Sequence, residues 1–164
     1  MPMPEDFASE CLYTPDAWFV DDVLELGPER VVGRLHTDRL TTLVTSQRPW
    51  PGHDRHLPGA VVIQMTATLG NLHAVYGLGL RLTEGWAGFG THLESAKFPS
   101  MGVIGPPVDA TLVSTRVRTV RGTKFLDYEF CFEQEGRVVH TSRQIAGWRQ
   151  SAHRGPCPDV VARQ

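Results

Sequence analysis

One segment constrains this chain more than any other. Residues 59–77, GAVVIQMTATLGNLHAVYG, are apolar almost without a break. Pro58 precedes them, in a position where its missing N–H costs a first helical turn nothing. Gly77 and Gly79 follow as stop signals. Length and flanks predict one long helix. Its apolar residues fall on nearly every side, which predicts a helix buried all round, with its few polar residues needing specific partners. Gly70 in its interior costs about 1 kcal/mol against alanine, which predicts close backbone packing there.

The rest of the chain supplies what could bury such a helix. Residues 17–26 and 30–37 are β-rich runs separated by Gly27-Pro28-Glu29, a turn signal, and are expected to form a hairpin. Residues 41–59 have little periodicity and read as a loop, with room for a helical turn over 40–45. Strand-like runs then recur over 87–98, 110–120, 123–134 and 137–149. Arg121-Gly122 and Glu135-Gly136 are short hairpin signals between the last three. The predicted order is β-β-loop-α-β-β-β-β. Parallel βαβ units would need more helices than the chain has. The expected fold is α+β: an antiparallel sheet wrapped around one central helix. Residues 1–16 read as an N-terminal arm or short cap, 17–150 as the domain and 151–164 as a flexible tail.

Composition removes several function classes. The chain has 164 residues, 41% of them hydrophobic, which suits one domain with its own core. A net charge of −2 argues against a strong electrostatic grip on nucleic acid. No apolar run approaches the roughly 20 residues of a membrane helix. Cys11, Cys131 and Cys157 form neither a disulfide framework nor a zinc ribbon. The N-terminal stretch has no basic and apolar leader pattern, and a cytoplasmic protein is expected. His53-x-x-His56 has a ligand-like gap but no third ligand at a recognisable spacing, so no metal is expected, and no cofactor.

At the junction of loop and helix the chain reads Gly52-His53-Asp54-Arg55-His56-Leu57-Pro58-Gly59, with Gln64 six residues after Pro58. After the helix come Ala96-Lys97-Phe98 and Gly105-Pro106-Pro107-Val108-Asp109. These motifs resemble the hot-dog superfamily of acyl-thioester enzymes, in particular the 3-hydroxyacyl-carrier-protein dehydratases and their thioesterase relatives. In the dehydratases a catalytic histidine lies in a G-H-F-P-G loop, a P-G pair opens the central helix, and a glutamate sits six residues after that proline. His56-Leu57-Pro58-Gly59 is also similar to the D-H-V-P-G of the A-factor-type butyrolactone synthases. The resemblance spans roughly residues 17–149, mostly through element order. In this chain the histidine-to-Pro-Gly loop differs in length, so His53 and His56 compete for the catalytic position. Gln64 replaces the acid.

The resemblance implies an acyl thioester of a carrier protein or coenzyme A as substrate. It also implies a dimer or higher assembly, with sheets joined edge to edge and the site between subunits. Its carbonyl would bind at the tip of the helix, where the amides of Gly59 and Ala60 are unpaired donors with a partial positive charge. His53 or His56 would carry the proton, with Asp54 available to orient either. A glutamine neither donates nor accepts a proton at useful pKa values, but it can orient water or hold a carbonyl. This favours thioester hydrolysis, and also allows nucleophile addition to an unsaturated (enoyl) thioester, over plain dehydration. A divergent dehydratase or hydratase, and a non-catalytic acyl-binding subunit of a heterodimer, are the competing readings. Thr68 and Asn71 follow Gln64 at helical spacing and are candidate substrate contacts, as are Trp50 and Phe98 for an acyl tunnel. Arg116, Arg118, Arg121 and Lys124 cluster around one hairpin and could meet a phosphate or an acidic carrier. His73 lies near the helix end, where a cation suits the dipole.

Overall fold

A computed structural model describes residues 1–48, 50–52 and 54–151. His53 and residues 152–164 of the expected tail therefore lie outside the described residues. Helix α3 (Gly59–Leu72) is the axis of the fold. Short helices α1 (Phe7–Glu10) and α2 (Thr41–Thr45) precede it. The strands are β1 (Asp22–Leu26), β2 (Arg30–Leu35), β3 (Trp86–Lys97), β4 (Val108–Val120), β5 (Thr123–Gln134) and β6 (Arg137–Gln150). They form an antiparallel sheet in the order β1-β2-β4-β5-β6-β3. The expected α+β architecture is present, with the helix against the inner face of the sheet.

Alternation builds that inner face. On β5, Leu126, Tyr128, Phe130 and Phe132 are buried while the residues between them face outward. Val108, Ala110 and Leu112 of β4 and Val31 and Leu35 of β2 extend the same surface. Val61, Met65, Leu69 and Leu72 of α3 meet it, each at most 1% exposed. Full burial of each such side chain stabilises by about 1.5–3 kcal/mol. Both hairpin signals produce two-residue turns, because Val120 pairs with Thr123 and Gln134 with Arg137. Arg121, Gly122, Glu135 and Gly136 all take positive φ, the geometry that matches strand twist.

Three expectations need correction. The first β-rich run does not begin at 17: Pro15–Ala17 is a 3₁₀ turn, Phe19 has φ +52°, and the strand starts at Asp22. The second ends at Leu35, because Thr37 turns inward to bond the Pro106 carbonyl and the Gly105 amide. The central helix is not buried all round. Ala60 and Ala67 are exposed and Ile63, Gln64 and Asn71 only half-buried, which leaves an open stripe along one side. After Leu72 the helix widens into a π-turn over His73–Gly77.

Residues 1–16 pack against the end of this helix. Phe7 is fully buried against Trp18, 4.9 Å between ring centroids. Glu10, 4% exposed, accepts hydrogen bonds from Arg81 and from the amide and hydroxyl of Thr83. His73 is fully buried too, with Nδ1 3.0 Å from the Tyr128 hydroxyl and Nε2 2.7 Å from the Pro28 carbonyl. Burial pushes its pKa below the ordinary 6.5. The helix-dipole role for a cation at this position is thereby replaced by a neutral, doubly bonded core imidazole.

Close approach of sheet and helix depends on Gly33. A Cβ there would stand 2.7 Å from Val20 Cγ1 and 3.0 Å from Leu69 Cδ2. Gly33→Ala should cost about 1–3 kcal/mol by overpacking, read as a lower denaturation midpoint. His73 and His140 both have lowered pKa values in the folded chain. The unfolded chain therefore binds more protons below about 6.5. Stability should be full above that pH and fall as pH drops through it. Urea titrations from pH 7.5 to 5 should show this slope, and His73→Gln should flatten it.

Candidate functional site

The loop that leads into α3 is tied down through its backbone. The His56 amide donates to Gln47 Oε1 at 3.1 Å, and Gln47 Nε2 donates to the His56 carbonyl at 2.7 Å. The Leu57 amide donates to Gly102, and His56 bridges to Val103. These bonds fix the entry to the helix. Pro58 then provides no capping side chain, and among the described residues the first-turn amides of Gly59 and Ala60, both in exposed residues, have no hydrogen-bond partner.

A cleft of about 360 Å³ opens at this helix tip. His56, Gly59, Val62, Phe98 and Met101 are among its walls. Phe98, half exposed, lies over the first turn, its ring 3.5 Å from where a Cβ on Gly59 would stand. The cleft is thus a largely apolar slot with the first-turn amide of Gly59 at its wall, the kind of donor that can stabilise a developing oxyanion. Among the described residues the His56 imidazole makes no hydrogen bond. Asp54 is exposed and does not contact it by any hydrogen bond described.

A second cleft, of about 350 Å³, follows the open stripe of α3. Gln64, Ala67 and Asn71 face Phe89, Gln144 and Trp148 across it. Gln64 Nε2 is sealed from solvent without a hydrogen-bond partner. Such an orphan donor costs about 1–3 kcal/mol unless a ligand or a neighbouring chain supplies an acceptor. Asn71 Nδ2 reaches only Cys11 Sγ, at 3.7 Å. Within one chain the structure therefore separates the candidates: His56 and Gly59 belong to one cleft, Gln64 and Asn71 to another.

Other candidates are placed elsewhere. Thr68 is 1% exposed and donates to the Trp18 carbonyl at 2.7 Å, so its hydroxyl satisfies the core and faces neither cleft. Trp50 is 73% exposed and lines neither cleft. Of the basic hairpin, Arg118 pairs with Asp127 at 3.3 Å and lies over the Phe125 ring, and Lys124 lies over Trp86. A larger cavity, about 500 Å³, sits on the outer sheet face, where the Arg143–Glu129 ion pair crosses it. It is on the other side of the sheet from α3 and has none of the helix-tip donors.

Sequence reasoning missed one group. His140, Ser142 and Gln144 project from β6 toward α3 at period two. His140 Nε2 is 3.1 Å from Ser142 Oγ, Gln144 Nε2 donates to Ser142 Oγ at 3.0 Å, and also to Thr66 Oγ1 at 3.1 Å. Thr66 donates in turn to the Ile63 carbonyl. The intervening Thr141 and Arg143 are also polar, so alternation could not show which face was buried.

No protein-family model matches the chain, and no curated protein matches it in sequence. Solved structures do. A thioesterase from Haemophilus influenzae superposes with a TM-score of 0.62 at 15% identity, over 94% of this chain and 95% of that one. A dehydratase heterocomplex from Xenorhabdus doucetiae gives 0.63 at 15% identity, over 92% and 93%. A mutant thioesterase from Pseudomonas aeruginosa gives 0.57 at 13% identity, over 83% and 85%. The chain has the hot-dog fold. Among the described residues no helix is long and apolar enough to cross a membrane.

Removing the orphan donor tests whether Gln64 is retained for something other than folding. Gln64→Met keeps the volume and should leave stability unchanged or raise it by up to about 1–2 kcal/mol. A loss of stability in chemical denaturation would show instead that the amide is a structural element.

Proposed function

We propose that this protein processes acyl thioesters of a carrier protein or coenzyme A, with hydrolysis as its reaction. The observation that carries this reading is the helix-tip cleft: Gly59, first residue of an uncapped helix with Ala60 next to it, at the wall of a largely apolar slot that His56 also lines. The thioester carbonyl accepts from those amides, a histidine (His56, or His53 outside the described residues) takes the proton of water, and the acyl chain lies among apolar side chains. Two of the solved structures with this fold are thioesterases, which is in keeping with the reading.

The working unit in this reading is a homodimer. Strand β3 is a twelve-residue sheet edge with Phe89 and Leu93 each 55% exposed, and it lies beside the open stripe of α3. Long unpaired edges of this kind are normally covered. Pairing of two β3 edges would bring the helix-tip cleft of one protomer toward Gln64 of its partner. The orphan Nε2 would then hold the attacking water or the acyl carbonyl. Its setting is the cytoplasm, where unpaired Cys11 and Cys131 stay reduced.

A second reading is favoured by the dehydratase heterocomplex with the same fold: loss of water from a 3-hydroxyacyl thioester, or acyl binding without catalysis beside a chain that supplies the acid. One assay separates the three. Purified protein is incubated with acyl, 3-hydroxyacyl and enoyl thioesters. Thiol release supports hydrolysis, loss of water without thiol supports dehydration, and binding with neither supports the acyl-binding subunit. Gly59→Pro tests the donors directly. Pro58 is extended (ψ 134°) and position 59 is the first helical residue, so proline fits while deleting one amide. It should lower kcat by about 10²–10³ with little change in stability.

A further inference from the structure

We propose that Trp148 is a specificity-determining residue: its indole N–H donates to a keto oxygen carried far down the acyl chain, so that the favoured substrates are long-chain thioesters with a distal carbonyl. The identity of the chain rests on the thioester reading above. Three observations lead to it. Trp148 is 4% exposed and lines the cleft along α3, yet its Nε1 has no hydrogen-bond partner among the described residues. Buried indoles normally find one. Trp18 does so in the same core, donating Nε1 to the Tyr13 carbonyl at 2.8 Å. The Trp148 ring is also held in place. It packs on the backbone of Gly88 on β3, where a Cβ would stand 2.4 Å from both Cε2 and Cζ2, and Cε2 is the ring carbon bonded to Nε1. Finally, none of the residues lining the cleft is charged.

That last fact selects the kind of oxygen. The walls include Ile63, Ala67, Phe89 and Ala146. A carboxylate would lose its water there without gaining a counter-charge. A hydroxyl would bring a hydrogen that needs an acceptor of its own. A keto oxygen accepts and donates nothing, and so matches a lone N–H donor.

Position along β6 places that oxygen far from the reacting group. Gln144 bonds Thr66 of α3, two residues on from Gln64. Trp148 follows Gln144 by four residues on the same face, about 13 Å at strand spacing. In the reading above Gln64 holds water or the reacting carbonyl. The oxygen that Trp148 meets is therefore many carbons from the thioester. Nε1 is sealed from bulk water, so the chain reaches it by parting exposed side chains of the same cleft, Leu12 and Phe89 among them. Trp148 binds and takes no part in bond making or breaking.

The test uses the whole protein with coenzyme A thioesters of dodecanoic acid, plain or carrying one keto group at successive carbons, and with the corresponding free acids. kcat/KM should peak on a distal keto chain, about tenfold above the plain chain. Trp148→Phe keeps an aromatic ring and deletes the donor. It should abolish the preference and leave kcat/KM on the plain chain nearly unchanged, which also shows that the variant is folded. In the native protein the indole N–H resonance of Trp148, assigned by its absence from the variant, should move downfield with the preferred keto acid and not with the plain acid. If thiol is released with no keto preference, or the preference survives Trp148→Phe, the role of Trp148 is overturned and the thioester reading stands. A preference for a keto group next to the thioester overturns the distal placement. If the variant loses plain and keto chains alike, or is a monomer where the native protein is a dimer, the indole serves the fold or the contact between protomers and the proposal is overturned. If no thioester releases thiol but a keto acid moves the Trp148 resonance, hydrolysis fails and the keto site stands; if neither occurs, both fall.

Discussion

Everything in this molecule follows from the need to bury a fourteen-residue apolar helix. A helix with valine, methionine and leucine on one broad face cannot stand in water. The inner faces of β2, β4 and β5 supply the cover, through Val31, Leu35, Leu112, Leu126 and Phe132, all fully buried. Once the sheet wraps the helix, its N-terminal tip must emerge at the rim, since the chain enters there through the loop that ends at Pro58. The tip is uncapped, so folding leaves amide donors unpaired where a ligand can reach them. The same wrapping stops short along one side of α3, where Ile63, Gln64, Ala67 and Asn71 stay partly open.

Polar groups in this core divide into two kinds. Thr68, Thr37, Glu10 and His73 are buried and bonded to backbone or to paired side chains, and they join the loops and the N-terminal segment to the helix. Gln64 Nε2 and Trp148 Nε1 are buried without partners among the described residues. Folding alone disfavours such atoms, and both lie next to clefts that border α3. Groups that weaken the fold and border a cavity are the natural candidates for chemistry. The stability of the molecule and its candidate site therefore draw on different residues of the same helix and the same sheet face.

Much of the fold was legible because it rests on local signals. The proline–glycine boundaries of α3, the two-residue Arg-Gly and Glu-Gly turns, and the alternation along β5 each depend on neighbours a few positions apart. One boundary error arose where distant residues decided. Thr37 leaves the second strand to bond the loop at Gly105 and Pro106, nearly seventy positions on, while the first strand starts late for a local reason, the left-handed turn at Phe19. The candidate site was legible in part. Gly59, His56 and Phe98 line one cleft, whereas Thr68 and Trp50 line neither cleft of the helix. Helical spacing put Thr68 on the side of Gln64, but a difference of 40° around the axis was enough to turn it into the core.

By itself the sequence determined the element order, the central helix, the hairpin registers and the presence of imidazoles, amides and a glutamine near one helix end. These are properties of short stretches, where backbone sterics and hydrophobic period act directly. Only the tertiary structure decided which polar groups went without partners. The ladder from His140 to Thr66 joins residues more than seventy positions apart, and on β6 the intervening Thr141 and Arg143 are polar too, so alternation does not mark the buried ones. Whether Gln64 and His56 share a cleft was likewise set by how far the sheet curls around the helix. That curl is a sum of strand twist and packing at sites such as Gly33, a long-range quantity that no window of sequence contains.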